Sequence, residues 1–354
     1  MTIPTRYTEV KKTKPADESK LGFGKLFTDH MLLMDYNAGQ GWHDMRVEPY
    51  GPFAMDPSSV VLHYGQAIFE GLKCFRGADG ALRLFRAQDN FLRMNASAER
   101  MSIPAIDPEQ CLAGLKYLLD IERDWIPSAP GTSLYIRPTI IATDAALGIH
   151  ASKAYRFFII LSPSGAYYAS GLAPVGIYVE SELVRAVRGG IGFTKAAANY
   201  AASLYAGVRA EEKGYQQVLW LDGVERKYIE EVGAMNIMFA FGDRIITPML
   251  SGSILKGITR GSILTLAADL GYTVEERRIT IDEVVEGIRS GALTEAFGTG
   301  TAAVVSPIGT LCWNDTVLTV GDGGIGKVTQ RLYNTLTGIQ SGALPDPYGW
   351  TTTL

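Results

Sequence analysis

A segment of small and turn-forming residues constrains the fold of this chain more than any other feature of the sequence. SPSGAYYASGLAP, residues 162–174, is rich in Ser, Gly, Ala and Pro and lies between two apolar runs. A chain of 354 residues is long enough for about two domains. The segment therefore predicts an interdomain connection, with one domain before it and one after it.

The apolar patterns on both sides of this connection predict mixed helices and strands. From Leu32 to Phe85, runs such as VVLHY and LRLF are broken by turn residues, which indicates strands. Two helices follow, and Asp107-Pro108 is typical of the beginning of the second. After the connection the patterns predict a strand in VGIYVES, one helix over KAAANYAASLYAGVRAEEKG, and antiparallel strands in QVLWLDG, KYIEEVG and NIMFAFGDRIITP.

The predicted fold class is thus α+β with two domains. We expect a loose N-terminal arm over 1–20 and a smaller N-terminal α/β domain over 21–165. An interdomain loop over 166–178 leads to a larger C-terminal mixed α/β domain over 179–354.

Charge and composition narrow the class of partner. The sequence has 33 basic and 37 acidic residues, a net charge of −4, so no strong field favours nucleic acid or an anionic membrane. Small molecules are the expected partners. No signal peptide or run of 18 apolar residues is found, which predicts a cytoplasmic protein. The three cysteines show no metal-ligand or redox spacing, so neither a metal nor a disulfide framework is expected.

Lys195 is the first candidate for chemistry. It lies in GGIGFTKAAANYAAS, where glycines precede it and small apolar residues flank it on entry to the predicted helix. Removal of water from an ammonium group favours the neutral amine, which can form a Schiff base with an aldehyde cofactor. A lone lysine in such a setting is more often an ordinary solvated one, so the neighbouring sequence has to decide.

Six ordered blocks provide that context: EGLKCFRG, SLYIRP, FTKAAANYAAS, GYQQVLWLDG, IEEVGAMNIMF and FGTGTAAVVSPIG. Together they resemble the branched-chain-amino-acid aminotransferases of the class IV family, and the match runs from about Gly41 to the C-terminal region. The resemblance implies the two-domain fold type IV of pyridoxal-phosphate enzymes, the fold of D-amino acid aminotransferase. It also implies pyridoxal 5′-phosphate as cofactor, with Lys195 as the Schiff-base lysine.

The resemblance assigns the pyridine nitrogen of the cofactor to a carboxylate in YIEEVGAMN. Glu231 matches the family glutamate that keeps this nitrogen protonated, and Glu230 beside it is the alternative. We prefer Glu231 because it stands five residues before Asn236, as the family glutamate does before its asparagine. Consecutive residues of a strand point to opposite faces, so only one of the two can reach the ring.

Further cofactor contacts are implied in the same way. Tyr200 resembles the tyrosine that binds the ring hydroxyl, and Arg93 in NFLRMN resembles the phosphate arginine. Ile258 and Thr259 in KGITRGS enter a predicted helix, where backbone N–H groups and the helix dipole favour an anion. Thr301 in GTGTAA adds a hydroxyl and an amide.

On the substrate side, one pocket must accept an apolar side chain in one half-reaction and the carboxylate of glutamate in the other. Aromatic faces suit the first and an arginine suits the second. The implied substrate residues are the aromatic Phe69, Tyr64, Tyr135 and Tyr167, the carboxylate-binding Arg137, and the backbone amides near Thr301 and Ala302.

The implied activity is reversible amino transfer between leucine, isoleucine or valine and 2-oxoglutarate by a ping-pong mechanism, in a homodimer or higher homo-oligomer. The chain differs from many relatives in having alanines after Lys195, and it reads Ala303-Val304-Val305-Ser306 where some have a Cys-X-X-Cys pair. The alternatives are a D-amino acid aminotransferase, an aminodeoxychorismate lyase or a non-catalytic metabolite-binding protein. YIRP and the aromatic pocket argue against the first two, and retention of the cofactor residues argues against the third.

Overall fold

A computed structural model describes residues 3–165 and 172–354 of the chain. The described residues form two compact units. The first consists of those in Met1–Ala169 with Thr194–Ala198 and Ile339–Leu354, and the second of those in Ser170–Phe193 with Asn199–Gly338. The predicted domain over 179–354 is therefore interrupted, because its Lys195 segment and its C-terminal end pack with the first unit. The predicted loop over 166–178 is also too long, since a strand begins at Val175.

The first unit is built on one antiparallel sheet. Among the described residues it has eight strands, in the order β17-β5-β4-β6-β7-β1-β2, with β3 beside β6. The runs TSLYIRPTII and RFFIILS form its two longest strands, as predicted. The strands are β1 His30–Asn37, β2 Gly41–Pro49, β3 Ala67–Phe69, β4 Leu72–Arg76, β5 Leu82–Phe85, β6 Ser133–Ala142, β7 Ala154–Ser164 and, from the C-terminal end, β17 Thr351–Thr353.

Three helices accompany this sheet: α1 Val60–Tyr64, α2 Ala87–Arg100 and α3 Pro108–Ile121. Asp107 caps α3 as predicted, because its side chain accepts hydrogen bonds from two backbone N–H groups of the first turn. The prediction of a strand in VVLHY is wrong. This run is α1, a short helix that ends where Gly65 adopts φ 62° and donates its N–H to the Val61 carbonyl.

The predicted loose arm is also wrong for the described part of 1–20. Thr8 donates its backbone N–H to Nε2 of the buried His30 at 2.9 Å, and Lys12 donates its own to Asp29 at 2.8 Å. Each of these amides is therefore satisfied by a buried polar side chain, and the arm forms part of the first unit.

The second unit contains a nine-stranded mixed sheet in its described residues, with the path β10-β9-β8-β15-β14-β11-β12-β13 and β16 beside β15. An additional pairing of β10 with β11 closes six of these strands into a ring, so the second unit is barrel-like. The strands are β8 Val175–Glu180, β9 Gln217–Leu221, β10 Ile229–Val232, β11 Met235–Phe241, β12 Arg244–Pro248, β13 Thr273–Arg277, β14 Glu295–Gly300, β15 Val304–Trp313 and β16 Thr316–Thr319.

The helices after the connection are α4 Ala197–Ala201, α5 Leu204–Glu212, α6 Ile258–Asp269, α7 Ile281–Ser290 and α8 Lys327–Ser341. The single helix predicted over 195–214 is thus two. It breaks where Ser203 donates both its hydroxyl and its N–H to the Tyr200 carbonyl, which takes that carbonyl out of the helical ladder. Within the described part of the chain, we find no helix long and apolar enough to span a membrane.

Candidate active site

Lys195 lies immediately before α4, and its main chain is held by the first unit. Its N–H donates to the buried Ser97 hydroxyl at 3.0 Å, and its carbonyl accepts the N–H of Phe69 at 3.0 Å. Ala196 forms a β-bridge with Ile68. Nζ lies 5.0 Å from the centre of the Phe69 ring. The amine is therefore carried by a fixed backbone beside an aromatic face.

Phe69 also contacts the predicted substrate arginine. The Arg137 guanidinium lies 4.6 Å from the Phe69 ring and 5.2 Å from the Tyr135 ring, and Nη2 donates to the Tyr135 hydroxyl at 2.9 Å. Nε of Arg137 is buried and has no hydrogen-bond partner among the described residues. The structure thus brings four predicted residues together in the first unit: an amine, a guanidinium and two aromatic rings.

Two other predicted aromatic residues are less closely tied to this group. Tyr64 ends α1, is partly exposed, and donates its hydroxyl to the Leu147 carbonyl. Tyr167 lies outside the described residues.

Arg93 lies on α2 and makes a two-point ion pair. Its Nε and Nη2 donate to the two carboxylate oxygens of Glu70, each at 2.7 Å. Glu70 is completely buried. The predicted phosphate arginine is therefore oriented by a carboxylate of the same unit.

Glu231 lies on β10 of the second unit, opposite Asn236 of β11. Its Oε2 pairs with the Arg185 guanidinium at 2.7 Å, and its Oε1 accepts from Asn236 Nδ2 at 3.0 Å and from the Leu255 N–H at 3.3 Å. Three donors of different elements thus surround one buried carboxylate, an arrangement that favours its charged form.

Glu230 lies beside Glu231 in the chain but has different partners. One oxygen accepts the Ser253 hydroxyl, and the other is buried without a hydrogen-bond partner among the described residues. Burial raises the pKa of the Glu230 carboxyl, while the Ser253 hydrogen bond and the charge of Arg185 oppose this shift. The two glutamates therefore differ in the protonation state that their surroundings favour.

The predicted phosphate helix begins close to Glu231. Gly257 precedes α6 without a side-chain cap, and a Cβ at this position would lie 2.0 Å from Asn236 Oδ1. Asn236 thus contacts both Glu231 and the chain that carries Ile258 and Thr259. The uncapped first turn of a helix presents backbone N–H groups that suit an anion.

Thr301 and Ala302 lie in the turn between β14 and β15. Two residues earlier, Thr299 is in register with Asn236, and its buried hydroxyl lacks a partner in the described structure. Tyr200 belongs to the second unit and lies on α4. The second unit therefore brings together the predicted carboxylate, the helix terminus and the threonine turn.

Comparison with known proteins identifies the family. The family "Amino-transferase class IV" matches residues 67–311 of the chain. The chain belongs to this family. It is 56% identical over 351 residues to branched-chain-amino-acid aminotransferase 2 of Bacillus subtilis (strain 168), covering 99% of this chain and 96% of that relative. It is 46% identical to the branched-chain-amino-acid aminotransferase of Mycolicibacterium smegmatis, covering 98% of each chain.

Solved structures agree with this assignment. The Escherichia coli branched-chain amino acid aminotransferase matches with a TM-score of 0.76 and 26% identity, covering 90% of this chain and 98% of the other. A second branched-chain amino acid aminotransferase, from T.th. and solved with pyridoxamine 5′-phosphate, matches with a TM-score of 0.76 and 27% identity, covering 91% and 97%. The predicted two-domain fold type IV is confirmed, and so is an aminotransferase that uses pyridoxal 5′-phosphate.

The sequence prediction missed three side chains that hold the aminotransferase residues in position. Arg185 pairs with Glu231, Glu70 pairs with Arg93, and Ser97 binds the Lys195 backbone. Glu70 lies in the block EGLKCFRG, so the sequence contained a signal for it, and Ser97 stands one helical turn after Arg93. Nothing in the local sequence distinguishes Arg185 from other arginines.

Proposed function

We propose that this aminotransferase transfers the amino group of leucine, isoleucine or valine to 2-oxoglutarate by a ping-pong mechanism, with Lys195 as the reacting amine. The names of the most similar relatives support this substrate class. The observation that carries the proposal is the position of Phe69, 5.0 Å from the Lys195 amine and 4.6 Å from the Arg137 guanidinium. An apolar surface thus lies beside both the amine and a cation.

The side chains and backbone groups of the second unit fit pyridoxal 5′-phosphate. The uncapped start of α6, at Ile258 and Thr259, suits its phosphate, and the unpartnered Thr299 hydroxyl offers a further donor two residues from Thr301. Glu231, held as a carboxylate by Arg185, suits a protonated pyridine nitrogen. When bound, this cofactor supplies an aldehyde that links to amines and a ring that withdraws electrons.

The protein residues bind, orient and move protons around that chemistry. Lys195 in its neutral form takes the proton from the substrate Cα and returns it to the cofactor carbon, acting as base and then as acid. Its backbone bonds to Ser97 and Phe69 limit where the amine can reach. Tyr200 is proposed to bind the ring hydroxyl, and Arg93 the phosphate.

The substrate residues are proposed to serve both half-reactions. Phe69, Tyr64, Tyr135 and Tyr167 would accept the branched side chain, and Arg137 would bind the distal carboxylate of glutamate or 2-oxoglutarate. The amides of Thr301 and Ala302 would bind the α-carboxylate. We further propose that the protein works as a cytoplasmic homodimer.

Replacement of Arg137 tests this division of labour. In Arg137→Met, we expect kcat/KM for 2-oxoglutarate to fall about 100-fold, because a charge-assisted contact to its distal carboxylate is lost. The half-reaction with L-leucine should change far less. Arg156→Met is the matched control, since Arg156 belongs to the same sheet and lies 5.3 Å from the Phe53 ring.

Parallel assays with L-leucine, D-alanine and aminodeoxychorismate separate the alternatives. The proposal requires turnover of L-leucine that disappears in Lys195→Ala. Turnover of D-alanine or aminodeoxychorismate alone would identify another class IV activity. Binding of the cofactor without turnover of any of the three would support a non-catalytic protein.

A further inference from the structure

Glu70 is a fully buried carboxylate with a single guanidinium on both of its oxygens. Its side chain has 0% exposure, and its oxygens accept Nε and Nη2 of Arg93 at 2.7 Å each. Oε2 also accepts the N–H of Gly71 at 3.1 Å. Two parallel N–H to oxygen bonds fix the plane of a guanidinium, which a single contact does not.

The backbone on both sides of this carboxylate is fixed as well. Phe69 donates its N–H to the Lys195 carbonyl, and Glu70 donates its own to the Pro138 carbonyl at 2.8 Å. Pro138 follows Arg137 on β6. Glu70 therefore occupies a rigid connection between the lysine and the substrate arginine, and its carboxylate has little freedom to move.

Stability alone does not explain such a pair. Removal of two charges from water costs several kcal/mol per ion, and a well-packed apolar pair of similar volume is often equally stable or more stable. A buried ion pair is better explained when the orientation of one partner matters. The partner here is Arg93, the proposed phosphate arginine.

We propose that Glu70 is a positioning residue that holds the Arg93 guanidinium in the orientation in which it binds the cofactor phosphate. A guanidinium has five N–H groups, and two of those of Arg93 go to Glu70. The others lie on edges whose direction the carboxylate sets. A donor that is already oriented loses less entropy when the phosphate binds. This inference rests on the proposed function, since it requires that Arg93 binds the phosphate.

The test compares two ligands that differ only in the phosphate. Kd is measured for pyridoxal 5′-phosphate and for pyridoxal by titration of the cofactor-free protein, and their ratio reports the phosphate contribution. In Glu70→Gln we expect this ratio to fall about tenfold, the loss of roughly one charge-assisted hydrogen bond. Kd for pyridoxal itself should hardly change.

Asp35→Asn is the matched control, because Asp35 pairs with Arg46 and Arg156 in the same unit and is itself partly buried. It should weaken folding without changing the ratio. Glu70→Asp provides a second test if Glu70→Gln does not fold, and a shorter carboxylate should give an intermediate ratio. Arg93→Gln and the double variant Glu70→Gln/Arg93→Gln should have the same ratio if Glu70 acts through Arg93.

The outcomes separate the inference from the proposed function. A wild-type protein that prefers pyridoxal 5′-phosphate, with an unchanged ratio in both Glu70 variants, would overturn the positioning role alone. A further fall of the ratio from Arg93→Gln to the double variant would overturn it too. A wild-type protein that binds neither ligand would contradict the proposed function, and the inference with it.

Discussion

Glu230 and Glu231 are neighbours on one strand and are almost equally buried, at 6% and 4% exposure. Their surroundings nevertheless favour opposite forms. Glu231 faces Arg185, Asn236 and a backbone N–H, whereas Glu230 has one hydroxyl and an oxygen without a partner among the described residues. Burial therefore does not decide the charge of a carboxylate. Its donors do, and in a strand they change with each residue.

Removal of the guanidinium should have the largest effect on this contrast. Arg185→Met leaves the Glu231 carboxylate buried without its cation, so we expect a loss of about 3–5 kcal/mol in the free energy of unfolding. The measurement is urea unfolding. Arg209→Met is the control, because its pair with Glu182 is largely exposed and should cost less than about 1 kcal/mol. Equal losses in the two variants would contradict the importance of burial.

The two glutamates should also differ in catalysis. Glu231→Gln keeps the size of the side chain but removes the negative charge, so we expect kcat to fall on the order of 100-fold, as for loss of one oriented electrostatic group. Glu230→Gln should keep kcat close to that of the wild type. Steady-state rates with L-leucine decide the matter. If Glu230→Gln were the slower enzyme, the assignment of the cofactor carboxylate would have to be reversed.

The smallest expected effect is a pH dependence of stability. Since burial raises the pKa of Glu230, the folded protein binds this proton more tightly than the unfolded chain, whose carboxyl has a value near 4.5. The corresponding stabilisation is present below that value and is lost as pH rises through the folded pKa. Relative to the wild type, Glu230→Gln should therefore gain stability between about pH 4 and pH 8. A constant difference across this range would exclude the raised pKa.

Local signals explain which parts of the fold were predictable. The Asp107 cap and the antiparallel strands β9 to β12 depend on neighbouring residues, and both were predicted. The five-residue spacing from Glu231 to Asn236 also has a local cause, because the hairpin of β10 and β11 places these residues opposite each other. VVLHY was mistaken for a strand because its β-branched valines favour strands, whereas the turn at Gly65 ends a helix.

The candidate site was predictable where a residue reacts and less so where it supports another. Lys195 and Glu231 stand in recognisable blocks. Arg185 stands 46 positions before its partner Glu231, and Ser97 reaches the Lys195 backbone across 98 positions. Such pairs depend on how distant strands and helices pack, which local sequence patterns do not report.

The central claim is that Lys195 and a bound cofactor carry an amino group from a branched-chain amino acid to 2-oxoglutarate. The most direct test is the visible absorption spectrum of the purified protein, recorded before and after L-leucine and then after 2-oxoglutarate, with Lys195→Ala in parallel. We predict a cofactor band that L-leucine shifts, that 2-oxoglutarate restores, and that is abnormal in the variant. A protein without such a band after addition of pyridoxal 5′-phosphate, or with a band that L-leucine leaves unchanged, would contradict the claim.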